Sequence, residues 1–212
     1  ISGGNSNYKA THQQGVLQYT SPANLVYTAN YSYIMEITDS VIADSLAVSG
    51  ASASDIFTLQ NNKYWLNPAL SVNYLQKQNL IINGAADDQV KVDGTVSIAK
   101  TFTVNNASLI GENAGKIIAQ NLELIATQDV GSNSERLKLA VDNIYLKSTK
   151  GNVYIDEQDS LTIKEFSTST TTLFDLLIGG DLLSSTSINY AGQFNANSQY
   201  GNIILNNSNA FT

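Results

Sequence analysis

Val96-Ser97-Ile98, Phe102-Thr103-Val104, Ser108-Leu109-Ile110, Lys116-Ile117-Ile118 and Leu122-Glu123-Leu124 follow one another with starts 6, 6, 8 and 6 residues apart. The first triplet therefore recurs at the fourth after 20 residues, and the second at the fifth after 20. Further on, Lys116 to Leu137 is 21 residues and Leu122 to Ile144 is 22. Three short strands per repeat of about 20 residues is the arithmetic of a solenoid coil. A coil that turns three corners leaves each face only a few residues long. Its inward positions must be apolar to fill a narrow core, and successive coils stack in parallel about 4.8 Å apart.

Corner residues need unusual dihedral angles, which suits Gly and Asn. Asn83-Gly84, Asp93-Gly94, Asn105-Asn106, Gly111, Asn113, Gly115, Asn121, Asn143, Gly151-Asn152, Gly179-Gly180 and Gly201-Asn202 all fall between the apolar runs. The period predicts an all-β chain whose residues 79–205 form a right-handed parallel β-helix. The competing reading is an antiparallel β-sandwich, whose strands also recur regularly, but strands of three to five residues are short for it. No stretch of 11 or more residues holds a helical apolar pattern free of β-branched residues. Pro22 and Pro68 are the only prolines, so nearly every residue can donate to a ladder.

Before residue 79 the pattern is different. Seven of the eleven tyrosines and the sole Trp65 lie there, and the apolar runs are irregularly spaced. Residues 1–78 therefore read as a Tyr-rich β region, either a cap or a small second domain, ahead of a β-helix over 79–212. The chain opens with Ile1 and a polar, Gly-rich stretch, which reads as a processed protein or a piece of a longer one.

Composition excludes several classes of function. Net charge is −7, and Arg136 is the one arginine among eleven basic residues, so there is no basic face for nucleic acid. No apolar run approaches the length of a membrane-spanning helix. Cysteine is absent, which removes disulfides, thiolate metal sites and cysteine nucleophiles. Hydrophobic residues make up 42% but charged residues only 14%, so Ser, Thr, Asn and Gln supply the polar surface, as on secreted β-proteins.

Leu137-Lys138-Leu139-Ala140, then Asn143-Ile144-Tyr145-Leu146-Lys147-Ser148-Thr149-Lys150-Gly151-Asn152-Val153-Tyr154-Ile155-Asp156-Glu157-Gln158-Asp159-Ser160-Leu161-Thr162-Ile163, resembles the repeats of large bacterial surface adhesins of the filamentous-haemagglutinin type. Their recurring phrase is a leucine-alternating strand, a small-residue turn, an Asn-Val-aromatic-Ile strand, an acidic turn and a Leu-Thr-aliphatic strand. The resemblance covers about residues 79–205 and does not extend to residues 1–78. It implies a bacterial, extracellular, non-enzymatic β-helix acting as a stalk or adhesive surface. The expected partner is a host-surface glycan or protein, or further copies of the chain.

Four groups of residues are candidates for chemistry. Tyr27, Tyr31 and Tyr33 share parity on one predicted strand, and Tyr64 and Trp65 precede Pro68. Such aromatics either stack on sugar rings as a binding platform or cap the open end of the solenoid. Asp156, Glu157 and Asp159 form one acidic corner, and Asp87, Asp88 and Asp93 another. Both read first as solvated turns, with a polysaccharide-cleaving carboxylate pair as the rival. Asp156 and Asp159 are also the candidate ligands of a structural calcium. However, Gly179-Gly180-Asp181 is only a fragment of a calcium-binding nonapeptide and does not recur nine residues on. No other cofactor is expected. His12, the single histidine, has no nucleophile elbow to serve and reads as a surface residue. The expected function is a rigid adhesive surface module. A self-assembling filament or sheath subunit is the first alternative, and a polysaccharide-active β-helix enzyme the second.

Overall fold

A computed structural model describes the chain except residues 1–4, 12–13, 21–25, 33–35, 40–43, 51–53, 68–69, 76, 149, 169–172, 187, 189–191 and 206–212. The described residues contain strands and no helix. In chain order they are β1 (Asn5–Thr11), β2 (Gln14–Thr20), β3 (Val26–Ser32), β4 (Glu36–Asp39), β5 (Ser45–Ser49), β6 (Ile56–Gln60), β7 (Lys63–Leu66), β8 (Leu70–Tyr74) and β9 (Asn79–Ser97). There follow β10 (Thr101–Val130), β11 (Leu137–Ser148), β12 (Val153–Glu157), β13 (Leu161–Thr168), β14 (Leu173–Ile178), β15 (Leu182–Ser184), β16 (Gln193–Ser198) and β17 (Ile203–Ile204).

From β9 onward every pairing is parallel and joins one coil to the next. The chain is a β-solenoid, as the 20-residue period requires. Among the described residues antiparallel pairing is confined to β1–β2–β3 and to β6–β7–β8. The strands are longer than the triplet pattern predicts: β9 holds 19 residues and β10 holds 30. The reason is that pairing with the neighbouring coil resumes at once beyond each corner, with register shifts between Asn105 and Ala107 and between Glu112 and Lys116, so one strand wraps around several faces.

Stacking in register sorts the side chains into columns. Leu46 lies on Leu80 and Leu80 on Phe102, while Leu122 lies on Ile144 and Ile144 on Ile163. All six are 0% exposed. Burying each such side chain contributes about 1.5–3 kcal/mol relative to exposure. Corners approach so closely that some positions exclude any side chain. A Cβ on Gly115 would lie 1.8 Å from the Val92 carbonyl oxygen, and one on Gly179 would lie 1.8 Å from that of Gln158.

The ladder does not break at residue 79. β5 already pairs in parallel with β9 across Ser45–Asn79, and β6 pairs with β9 across Ile56–Gln89. The buried core is continuous from Leu46 to Ile188. What made residues 45–78 look irregular is an insertion: β7 and β8 leave the coil as an antiparallel meander and return through parallel pairing of β8 with β4. At the N-terminal side β1 pairs in parallel with β5 and covers its edge, β2 adds antiparallel to β1, and β3 adds antiparallel to β2.

Candidate binding groove

One outward column runs along the coils. Lys116 pairs with Lys138, Lys138 with Asp156, Asp156 with Leu177, and Leu177 with Asn197. In a strand alternate residues face one way, so the next outward positions are Gln158 and Gln199. A cleft of about 520 Å³ lies here, lined by Asp156, Gln158, Leu177, Gly179, Asn197 and Gln199 among others. Asp156 is shared with an adjoining cleft of about 310 Å³ that reaches Arg136, Lys138 and Gly115. Gly115 and Gly179 line these clefts, where backbone of the adjoining coil leaves no room for a side chain. Lys116 Nζ donates a hydrogen bond to Gln158 Oε1 across the groove. Arg136 is held at its margin by an ion pair to Asp175 at 3.0 Å and a second bond to the Asp175 carbonyl.

Glu157 lies behind this face. It continues the inward alternation of Val153 and Ile155 and is 1% exposed. Its carboxylate accepts the Val141 N–H at 3.1 Å and the Asp159 N–H at 3.2 Å. Burial pushes its pKa up from 4.5 to about 7, with the nearby Asp159 charge adding to the shift and the backbone donors opposing it. Strand parity in Val153-Tyr154-Ile155-Asp156-Glu157 contained the signal: Glu157 occupies an apolar position.

The structure separates the expected aromatic platform. Tyr64 is 0% exposed and packs in the core, its ring 6.4 Å from that of Tyr74. A residue so buried cannot present a face to a ligand, which removes Tyr64 from the platform. Trp65, its neighbour, turns to the other side of β7 and is half-buried, with Lys63 Nζ 5.0 Å from its ring centroid. Tyr27 and Tyr31 fall in β3, but their side chains and all of Tyr33 lie outside the described residues. His12 also lies outside them.

The acidic corners also divide. Asp156 joins the groove, whereas Asp159 is an exposed corner residue. Among the described residues no group of three or more His, Asp or Glu side chains converges as a metal site needs, so Asp156 and Asp159 gain no further carboxylate. Asp87 is exposed, and Asp93 accepts a bond from Gln60 Nε2 at 3.0 Å. Asp88, expected as a solvated turn residue, is instead 1% exposed. It accepts the Asp55 N–H at 2.8 Å and the Ala85 N–H at 2.7 Å, tying two coils together. Buried backbone donors at a bend must find an acceptor, and this carboxylate supplies it.

Fold and groove together define a class, a β-solenoid with an open polar face. The chain matches no family model, and no curated protein or solved structure matches it.

Proposed function

We propose that the chain is an extracellular, non-enzymatic adhesive module that holds a glycan strand along the groove. The observation that carries this reading is the outward column Lys116, Lys138, Asp156, Leu177 and Asn197, polar at every coil but that of Leu177 and flanked by Gln158 and Gln199. Coils about 4.8 Å apart set donors and acceptors at nearly the length of one sugar residue along an extended glycan. Planar amides and carboxylates match pairs of sugar hydroxyls, and the two lysines favour a glycan that bears acidic groups. The likeness of residues 79–205 to bacterial adhesin repeats points the same way. A non-enzymatic role is supported by strand parity, since Asp156 and Glu157 point to opposite sides of β12. They do not form the facing carboxylate pair that glycoside cleavage requires.

The test is binding of acidic and neutral glycans to the purified chain and to a Lys138→Ala, Asp156→Ala variant. The expected result is binding of at least one glycan by the parent, weakened about tenfold or more in the variant, which is about 1.4 kcal/mol. Thermal stability should be equal in the two proteins. A parent that binds none of the glycans, or a variant that binds as well as the parent, overturns the reading.

A second reading rests on the C-terminal coil. Among the described residues β16 pairs only with β14, and β17 only with β15. Tyr200, Ile203 and Ile204 are 82%, 44% and 56% exposed. An open ladder edge with exposed apolar residues is a template for another chain, which favours end-to-end assembly into a filament. Sedimentation of concentrated protein separates the readings: a monomer at all concentrations eliminates the filament.

A further inference from the structure

Asp39 ends β4, and Lys77 follows β8 by three residues. Parallel pairing sets Asp39 directly beside Tyr74. The Leu75 N–H donates to the Asp39 carbonyl at 3.2 Å. The chain then bends so that Lys77 Nζ lies 2.9 Å from Asp39 Oδ2, with side-chain exposures of 0% and 2%. Tyr74, 1% exposed, walls the pair, and burial keeps its phenol protonated well above the usual range.

Stability alone is a poor reason for such a pair. Taking two charges out of water costs several kcal/mol per ion, and apolar replacements often serve as well. Condensation of two groups 2.9 Å apart begins with one proton passing from the ammonium to the carboxylate, which leaves an amine and a carboxylic acid. A neutral amine is a nucleophile. Here it is held 2.9 Å from the Asp39 carboxyl group, so no encounter has to be awaited, and at side-chain exposures of 0% and 2% water that would reverse a condensation is kept out.

We propose that Lys77 and Asp39 condense into an intramolecular isopeptide bond. The Nζ lone pair attacks Asp39 Cγ and the N–C bond forms. The C–O bond to the acid hydroxyl then breaks, and that hydroxyl leaves with one amine proton as water. No oxidant or co-reactant is consumed, and a neutral amide replaces two buried charges. Tyr74, paired with Asp39 on the neighbouring strand, is buried beside the link and adds no charged group to it. The link closes the loop that contains β5, β6, β7 and β8, and so fastens the inserted meander to the coil beside it. A cross-link of this kind restricts the unfolded chain and resists a pulling force at this end of the stack.

Intact-mass spectrometry of the purified, folded full chain tests the proposal. The expected mass is lower than that of the sequence by one water, and proteolysis should yield a branched peptide joining Asp39 to Lys77. An Asp39→Asn variant should lose one ammonia instead, because the leaving group changes. A Lys77→Arg variant should keep its full mass. A folded parent chain whose mass equals its sequence, after prolonged incubation at neutral pH, overturns the inference whether or not the variants fold. So does a Lys77→Arg protein that still lacks one water.

Discussion

Glu157 shows at the scale of a single residue how the coil uses a carboxylate where the pattern calls for an aliphatic side chain. Its neighbours at the inward positions of β12 are Val153 and Ile155, both 0% exposed. The carboxylate takes up backbone N–H groups at the corner, and the cost appears in its titration. With a folded pKa of about 7 against an ordinary 4.5, the folded chain keeps this proton while the unfolded chain releases it. Stability from this group is therefore complete below about pH 4.5 and is lost as pH rises through about 7. At 1.36 kcal/mol per pKa unit the loss is roughly 3 kcal/mol at most. Glu157→Gln has no charge to bury, so its melting temperature should fall less than that of the parent between pH 5 and pH 8. Equal pH profiles for the two proteins, followed by circular dichroism, would show that the carboxylate is not the titrating group.

Among the elements, the lower coils are held by aromatic stacking inside the solenoid. Phe166 of β13 and Phe174 of β14 have ring centroids 4.3 Å apart, and Phe174 stacks on Phe194 of β16 at 5.4 Å and 26°. Phe174 is 1% exposed and touches both other rings, which also meet edge to face at 6.2 Å, whereas Phe194 is only partly buried. Phe174→Ala leaves a cavity between coils and should destabilise by about 3–5 kcal/mol. Phe194→Ala should cost clearly less, since water already reaches that ring. Urea unfolding of both variants checks the order, and a reversed order would mean that the C-terminal coil is covered in solution.

For the whole molecule, each coil touches chiefly its neighbours, so stability is spread along one axis. The interior coils around β9, β10 and β11 are paired on both sides, while β16 and β17 pair on one side among the described residues. β16 has no fully buried residue, and both residues of β17 are exposed. Local opening should follow this gradient. Hydrogen exchange is expected to be slowest in Leu122–Leu124 and Leu137–Leu139 and fastest in Ile203–Ile204. Uniform protection along the chain would show that the coils unfold as one unit.

The period of the apolar triplets and the Gly and Asn between them determined the solenoid, because each coil repeats the same local problem of short apolar runs joined by tight corners. Parity along a strand likewise determined which residues share a face, and it held the clue to Glu157. Partnership across coils was decided only by the tertiary structure. Asp88 reads as a turn residue until a second coil brings the Asp55 N–H to it. Lys77 and Asp39 meet only through the pairing of β8 with β4, and Tyr64 becomes core only because the meander folds back onto the stack. The groove belongs with these, since Lys116, Lys138, Asp156, Leu177 and Asn197 become one column only when the coils stack in register. Local spacing sets the shape of a coil, but contacts between residues 20 to 40 positions apart depend on the register and on inserted strands that break the period.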